Sequence, residues 1–143
     1  NTGCLVTTYY LAEYNETPER YFKETFFTYS HDNSIKAVAE GLADGASVHS
    51  LIWDFINRVD PTLTARTNII KKSPPYGMPP IVVHPSMEEE KKEKLRTLFF
   101  TLHEDPEGAK ILNSMLIDRF EPGNDADYNS VREMKKFIDL HKS

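Results

Sequence analysis

The chain has 143 residues, enough for one domain or for one lobe of a larger protein. Its hydrophobic content of 39% and charged content of 27% are ordinary for a soluble globular chain. The net charge of −5, with basic residues interspersed among acidic ones, excludes a general nucleic-acid binder, which needs clustered Lys and Arg.

Cysteine content and local motifs narrow the chemistry further. The one cysteine, Cys4, excludes an intrachain disulfide and a cysteine-based zinc site. No apolar run approaches the ~20 residues of a membrane span. Metal, redox, hydrolase and nucleotide-binding signatures are absent from the sequence, so we expect no catalytic activity, no cofactor and no metal. The chain begins with Asn1 rather than methionine, which suggests a processed or excised fragment.

The first half of the chain predicts strands that alternate with helices. Residues 5–14 favour a helix, and Thr17 followed by Pro18 is typical of a helix start. A helix is also predicted from Ser50 to Val59. Strands are predicted for three runs rich in β-branched or apolar residues: 25–28, 46–49 and 67–72. This alternation predicts an α/β fold with a mainly parallel sheet covered by helices.

The turn at residues 28–35 is the first candidate site. Ser30 or Asp32 can cap the helix that follows. That helix buries one face through four apolar positions with helical spacing: Ile35, Val38, Ala39 and Leu42. A loop between a strand and a helix N-terminus is where α/β folds bind ligands, and the free amides there favour an anion. His31 supplies one more donor near neutral pH.

The second half of the chain changes character at a proline-rich stretch, residues 73–80, which has four prolines in eight residues. Proline is excluded from helix interiors and central strands, so this stretch predicts a linker or crossover. Residues 81–83 predict one more strand. The helices that follow are predicted to start at three points: after Ser86 as the cap, at Asp105-Pro106-Glu107, and at Asn129 or Ser130.

Four separated motifs resemble one protein family. They are "SHDNSIKAV", "DGASVHSLIWDFI", "SPPYGMPPIVV" and "LHEDPEGAKIL…IDRFEPGNDADYNSVREM". Together, and in this order, they resemble the phosphonate-, phosphite- and phosphate-binding periplasmic solute-binding proteins of ABC transporters. The resemblance covers nearly the whole chain and corresponds to the C-terminal part of the family.

The resemblance implies a two-lobe clamshell of the type II periplasmic-binding-protein fold. Residues 1–72 would form the second, anion-gripping lobe, and residues 73–80 the hinge crossover. Residues 81–143 would return a strand and helices to a first lobe that precedes this chain. Because their apolar helix faces then lack the lobe they cover, they either fold back on residues 1–72 or pair with another copy or another chain.

The resemblance also implies a ligand-binding set. In the family, a Ser/Thr turn and the following helix N-terminus grip the phosphonyl oxygens, with help from the histidine of the "SHD" turn. The expected ligand-binding residues of this chain are Asn1, Thr2, Gly3, Ser30, His31, His49, Ser50 and Tyr76. The positions where aminophosphonate binders carry acidic groups are Leu51 and Pro79 here, which favours phosphate, phosphite, a simple alkylphosphonate or another small anion.

The expected function is therefore the substrate-binding component of an ABC importer. It implies a periplasmic or extracytoplasmic location, with or without a membrane anchor in the full-length protein. The partners are a small anionic ligand, the membrane permease, and either a second copy or the missing lobe.

Two other functions compete with this interpretation. One is an extracytoplasmic ligand-sensing domain fused to a signalling kinase or cyclase, in which closure of the clamshell is the signal. The other is a hydrolase that uses Ser30, His31 and Asp32 as nucleophile, base and orienting group. Three consecutive residues do not usually converge in triad geometry, so the hydrolase is the weakest of the three.

Overall fold

The computed structural model describes residues 2–141, and of Thr2 only the backbone. This range contains seven α-helices: α1 (Thr2–Ala12), α2 (Pro18–Tyr21), α3 (His31–Ala39), α4 (Ser50–Val59), α5 (Glu89–Thr101), α6 (Pro106–Ser114) and α7 (Asn129–Leu140). Three short 3-10 segments lie between them: Thr64–Arg66, Leu102–Glu104 and Asp125–Tyr128. The residues divide into two compact units, Asn1–Tyr76 with Tyr128–Ser143, and Gly77–Asp127.

In the first unit, α1 packs against α7. The rings of Tyr9 and Phe137 meet edge to face, with centroids 5.2 Å apart. Leu11 on α1 and Met134 and Ile138 on α7 are buried. The last helix thus packs against the first helix of the chain.

A second group of contacts in this unit joins α3, α4 and the 3-10 turn Thr64–Arg66. Ile35 is only 2% exposed, and its helix also buries Ala37 and Ala39. The hydroxyl of Thr64, equally buried, donates to the side-chain oxygen of Asn57 at 2.7 Å. A buried hydroxyl with this partner avoids the cost of an unpaired polar group. The turn therefore fixes the C-terminal half of α4.

The second unit is built around α5 and α6. Asp105 caps α6 by accepting the amide of Gly108 at 2.8 Å, as the Asp-Pro-Glu sequence predicts. Leu112 is 1% exposed and forms the centre of this unit. Phe99 and Phe120 add an edge-to-face contact with centroids 5.0 Å apart.

The prediction of an α/β fold, and with it of one type II clamshell lobe with a mainly parallel sheet, is wrong for this structure. No residue between 2 and 141 belongs to a strand. The four predicted strands, 25–28, 46–49, 67–72 and 81–83, have no regular secondary structure and belong to no ladder. Phe27 is 66% exposed, Ile70 94% and Val82 78%. A strand is stabilised by a neighbour that pairs its backbone groups and covers its side chains, and β-propensity alone supplies neither.

Two local predictions also need correction. Ser86 does not cap α5: the cap position is Glu88, and Ser86 instead bonds to the ring of His84. Leu42 is not on the buried face of α3, because the helix ends at Ala39 and Gly41 then adopts a φ of +75°. Glycine takes this left-handed conformation without the Cβ penalty, so it turns the chain away.

Gly108→Ala tests the packing of the second unit. A Cβ at this position would overlap the carbonyl oxygen of Leu102 and lie 2.8 Å from its Cδ1. We expect the substitution to lower the free energy of unfolding by about 1–3 kcal/mol, despite the better helix propensity of alanine. Urea titration followed by circular dichroism measures it. Gly123→Ala is the control, because nothing lies within 4 Å of a Cβ there; equal stability of the two variants would contradict the packing.

Candidate functional site

The candidate site begins with the turn that leads into α3. The hydroxyl of Ser30 accepts the amide of Asn33 at 3.3 Å and caps the helix, as predicted. Thr28 donates its hydroxyl to the carbonyl of Ser30 at 2.8 Å and lies 2.6 Å from the hydroxyl of Ser34. Tyr29, which lies between Thr28 and Ser30 in the sequence, adopts a φ of +62°. An aromatic residue in the left-handed region is strained, so these side-chain bonds hold a turn that the backbone alone would not favour.

The start of α4 is capped by an imidazole. Nδ1 of His49 accepts the amide of Leu51 at 3.3 Å, and the helix begins at Ser50. Histidine is an unusual cap, but a neutral ring nitrogen accepts a hydrogen bond as a hydroxyl does. The sequence predicted the helix start at Ser50 but not this role of His49.

The two helix starts meet through their histidines. The backbone amide of His49 donates to Nδ1 of His31 at 3.3 Å, and the two ring centroids are 6.0 Å apart. In each ring Nδ1 is an acceptor, so we assign the proton of the neutral imidazole to Nε2 in both. Each histidine therefore offers one N–H donor beside a helix N-terminus.

The electrostatics of this corner are mixed. The first-turn amides of α3 and α4 carry the positive end of each helix dipole, which favours an anion. The carboxylate of Asp32 lies in the first turn of α3. Hydrogen bonds from the Ser30 hydroxyl and from backbone amides hold the pKa of Asp32 below its ordinary value. This carboxylate stays charged at neutral pH and competes with any external anion for the same amides.

The structure brings together four of the expected site residues: Ser30, His31, His49 and Ser50. Tyr76 lies elsewhere in the same unit, where its hydroxyl is 3.6 Å from the sulfur of Met134. Gly3 is in the first turn of α1, and its carbonyl accepts the hydroxyl of Thr7.

The two remaining expected residues are at the start of the chain. Asn1 is outside the described residues, and the side chain of Thr2 is likewise outside them.

Thr28 and Ser34 belong to the turn but were missed by sequence reasoning. The signal in the sequence is the spacing of these hydroxyls from the cap residue Ser30: Thr28 precedes it by two residues and Ser34 follows it by four. Such hydroxyls commonly bond to nearby backbone groups. Their spacing alone does not reveal that both reach the carbonyl of Ser30, at 2.8 and 3.1 Å.

A family model described as "ABC transporter, phosphonate, periplasmic substrate-binding protein" matches residues 1–128. The chain belongs to this family. The match confirms the resemblance noted in the sequence. Members of this family bind a substrate for an ABC transporter. The family implies a small anionic ligand and an extracytoplasmic location. The family is defined by substrate binding rather than by a reaction.

Between residues 2 and 141, no helix combines the length and the apolar character needed to cross a bilayer. Within the same range, no group of three or more histidine, cysteine, aspartate or glutamate side chains is arranged to hold a metal ion.

Two substitutions of His49 test whether its ring caps α4. His49→Ala removes the cap of α4, and we expect the free energy of unfolding to fall by about 1 kcal/mol. His49→Asn keeps a side-chain acceptor at the cap, so most of that stability should return although the imidazole is lost. Thermal unfolding of both variants beside the unmodified chain measures the difference. If Asn is no better than Ala, the ring does not cap the helix.

Asp32→Asn should flatten the acid dependence of stability. The lowered pKa of Asp32 means that its charged form stabilises the folded state. This contribution is complete above the ordinary value of 3.8 and is lost as pH falls through the lowered pKa. Urea unfolding at neutral pH and at pH values below 3.8 should therefore show a smaller loss for Asp32→Asn. Asp60, whose pKa is also lowered, acts equally in both proteins and sets the common background. If the free energy of unfolding falls equally in acid for Asp32→Asn and for the unmodified chain, Asp32 does not contribute.

Proposed function

We propose that this phosphonate-family protein is the substrate-binding component of an ABC importer for a small oxyanion: phosphate, phosphite, a simple alkylphosphonate or a similar ion. The proposal places the oxyanion at the paired starts of α3 and α4. The single observation that carries it is the hydrogen bond from the His49 amide to Nδ1 of His31, which sets two helix N-termini and two imidazoles side by side.

The chemistry of the corner supports this ligand class. A tetrahedral oxyanion accepts several hydrogen bonds at once, and charge-assisted bonds are about twice as strong as neutral ones. The Nε2–H groups of His31 and His49 are donors to such an ion, beside those first-turn amides that the caps of Ser30 and His49 do not already use. The Ser30 hydroxyl accepts the Asn33 amide and donates to the Asp32 carboxylate, so its proposed role is to hold the turn beside the ligand. Ser50 is exposed at the first turn of α4 and retains a hydroxyl for the ligand.

The remaining expected contacts belong to the proposal as well. Asn1, Thr2 and Gly3 are proposed to grip the same anion. What supports this is that α1, a helix of 11 residues, starts at Thr2. Its first-turn amides have the same affinity for negative charge as those of α3 and α4. Tyr76 was expected at the ligand from its place in the crossover.

The lobe assignment is proposed on the same basis. Residues 1–72 would carry the anion site, 73–80 the hinge, and 81–143 the return segment. The boundary between the two compact units at Tyr76 and Gly77 falls inside the proposed hinge, which supports a hinge there. Helix α7 belongs to the proposed return segment by sequence, but it packs on α1 of the first unit.

The ligand is proposed to lack an amino group. Leu51 and Pro79 occupy the positions at which an acidic partner for an amine is expected, and neither side chain carries a charge. An ammonium group of a ligand would therefore gain no counter-charge from either side chain. Discrimination against aminophosphonates then follows from the missing carboxylates.

Calorimetry with phosphate, phosphite and methylphosphonate tests the proposal. We expect at least one of these to bind, with 2-aminoethylphosphonate weaker than methylphosphonate. His49→Asn keeps the helix cap but removes one donor, so affinity should fall by roughly tenfold or more. His31→Ala should do the same.

His84→Ala is the matched control, because that ring is exposed and bonds only locally to Ser86. It should bind like the unmodified chain. If no oxyanion produces heat at micromolar protein, or if His49→Asn and His84→Ala bind alike, the proposed anion site is wrong.

A further inference from the structure

A second cleft in the first unit has the opposite chemistry. It is an open cleft of about 470 Å³, within the usual range for a small-molecule site. It lies between α1, α7 and the end of the segment 67–76. Its lining combines four aromatic rings with two carboxylates: Tyr9, Tyr10, Tyr76 and Phe137 with Glu13 and Glu133. Neither His31 nor His49 is among the residues that line it.

Helical spacing places each carboxylate next to an aromatic ring. Glu13 follows Tyr9 by four residues, and its amide donates to the Tyr9 carbonyl at 3.0 Å, so the helical register continues past the end of α1. On α7, Glu133 precedes Phe137 by four residues. Side chains four apart share one face of a helix. Because Tyr9 and Phe137 are in contact, the two carboxylates flank one aromatic cluster.

The rings are held by the fold rather than free to turn away. Tyr9 contacts both Tyr10 and Phe137, with centroids 5.9 and 5.2 Å apart. The hydroxyl of Tyr76 is tied to the sulfur of Met134. Burial raises the pKa of Tyr76, and the neighbouring Glu13 carboxylate raises the pKa of Tyr9 by hydrogen bonding. Both phenols are therefore neutral at physiological pH, and the charge of the cleft comes from its carboxylates.

The carboxylates have no cationic partner of their own. In the described range 2–141, no ion pair involves Glu13 or Glu133. One ring of the cluster already binds an ammonium group: Nζ of Lys71 lies 3.7 Å from the centroid of Tyr10. The aromatic cluster thus contacts one cation within the chain itself, and the exposed carboxylates of Glu13 and Glu133 beside it are available to a second.

We propose that this aromatic and acidic cleft binds a small organic cation, an alkylammonium ion of the size of choline. Ring faces attract such an ion through their quadrupoles, and the effect grows when the cation leaves water. A methylated ammonium ion needs no hydrogen-bond acceptor, which suits a lining in which aromatic rings and other apolar side chains predominate. Glu13 and Glu133 supply the counter-charge. Of the residues proposed for the oxyanion, only Tyr76 also lines this cleft, and none at the starts of α3 and α4 does.

Titration with choline chloride at constant ionic strength tests the proposal, with 3,3-dimethyl-1-butanol as a neutral molecule of the same shape. We follow the aromatic proton resonances of the full chain. Choline should shift the tyrosine resonances in a saturable way. The neutral analogue should bind more weakly by about fivefold or more, the effect of one cation–π contact of ordinary strength.

Two charge-removing variants locate the site. Glu133→Gln keeps the shape of the side chain, and we expect choline affinity to fall by about threefold to tenfold while the neutral analogue is unaffected. Glu107→Gln removes one negative charge from an exposed carboxylate of the second unit and should leave both titrations unchanged. Tyr76→Leu should weaken choline binding by removing a ring.

Equal binding of choline and its neutral analogue would overturn the proposal, as would the absence of saturable shifts in a folded chain. An equal loss in Glu133→Gln and Glu107→Gln would also overturn it, because the effect would then be one of net charge. Phosphate titrations of the same variants separate this result from the oxyanion proposal: Glu133→Gln should leave any phosphate affinity intact.

Discussion

The hydrogen bond between the His49 amide and Nδ1 of His31 joins two helices at their N-termini. It spans 18 residues of sequence and involves a backbone donor, so any residue except proline at position 49 keeps the donor. What it requires is a neutral His31 ring with a free lone pair on Nδ1. Protonation of Nδ1 would remove that acceptor. The orientation of His31 and the joining of α3 to α4 thus depend on the same lone pair.

The turn before α3 shows how this orientation is maintained. Tyr29 is in the left-handed region and is 95% exposed, so neither backbone preference nor burial of its ring explains its conformation. Three nearby hydroxyls hold the turn. Those of Thr28 and Ser34 donate to the carbonyl of Ser30, and the hydroxyl of Ser30 caps the helix. Strain of this kind persists only where neighbouring interactions determine the conformation, and it concentrates at functional turns. The position of His31, the next residue after this cap, follows from that network.

Local signals in the sequence predicted several helix starts correctly. Ser30 caps α3, Asp105 with Pro106 starts α6, and Asn129 begins α7. Each depends on residues within one turn of the helix, so neighbouring sequence is sufficient. The start of α5 was predicted less well, because an adjacent histidine bonds to Ser86 in place of the cap.

Local sequence could not predict whether the β-prone segments pair into a sheet. A strand exists only where a second chain segment pairs with it, and no local pattern states which segment that is. Ile69 and Ile70 illustrate the failure: their β-branched side chains predict a buried strand, yet they are 50% and 94% exposed. The contact of His31 with His49 was equally hidden, although both residues were named as candidates, because residue type and spacing do not determine which ring nitrogen meets which amide.

The first unit contains two regions whose charge preferences are opposite. At the starts of α3 and α4, neutral donors and helix dipoles favour an oxyanion. Between α1 and α7, carboxylates and ring faces favour a cation. The segment 67–76 contacts the helices of both groups: Thr67 accepts the indole N–H of Trp53 on α4 at 3.2 Å, Lys71 lies over the ring of Tyr10 on α1, and Tyr76 contacts Met134 on α7. Because this segment has no ladder to hold it, such side-chain contacts take the place of strand pairing in fixing its course.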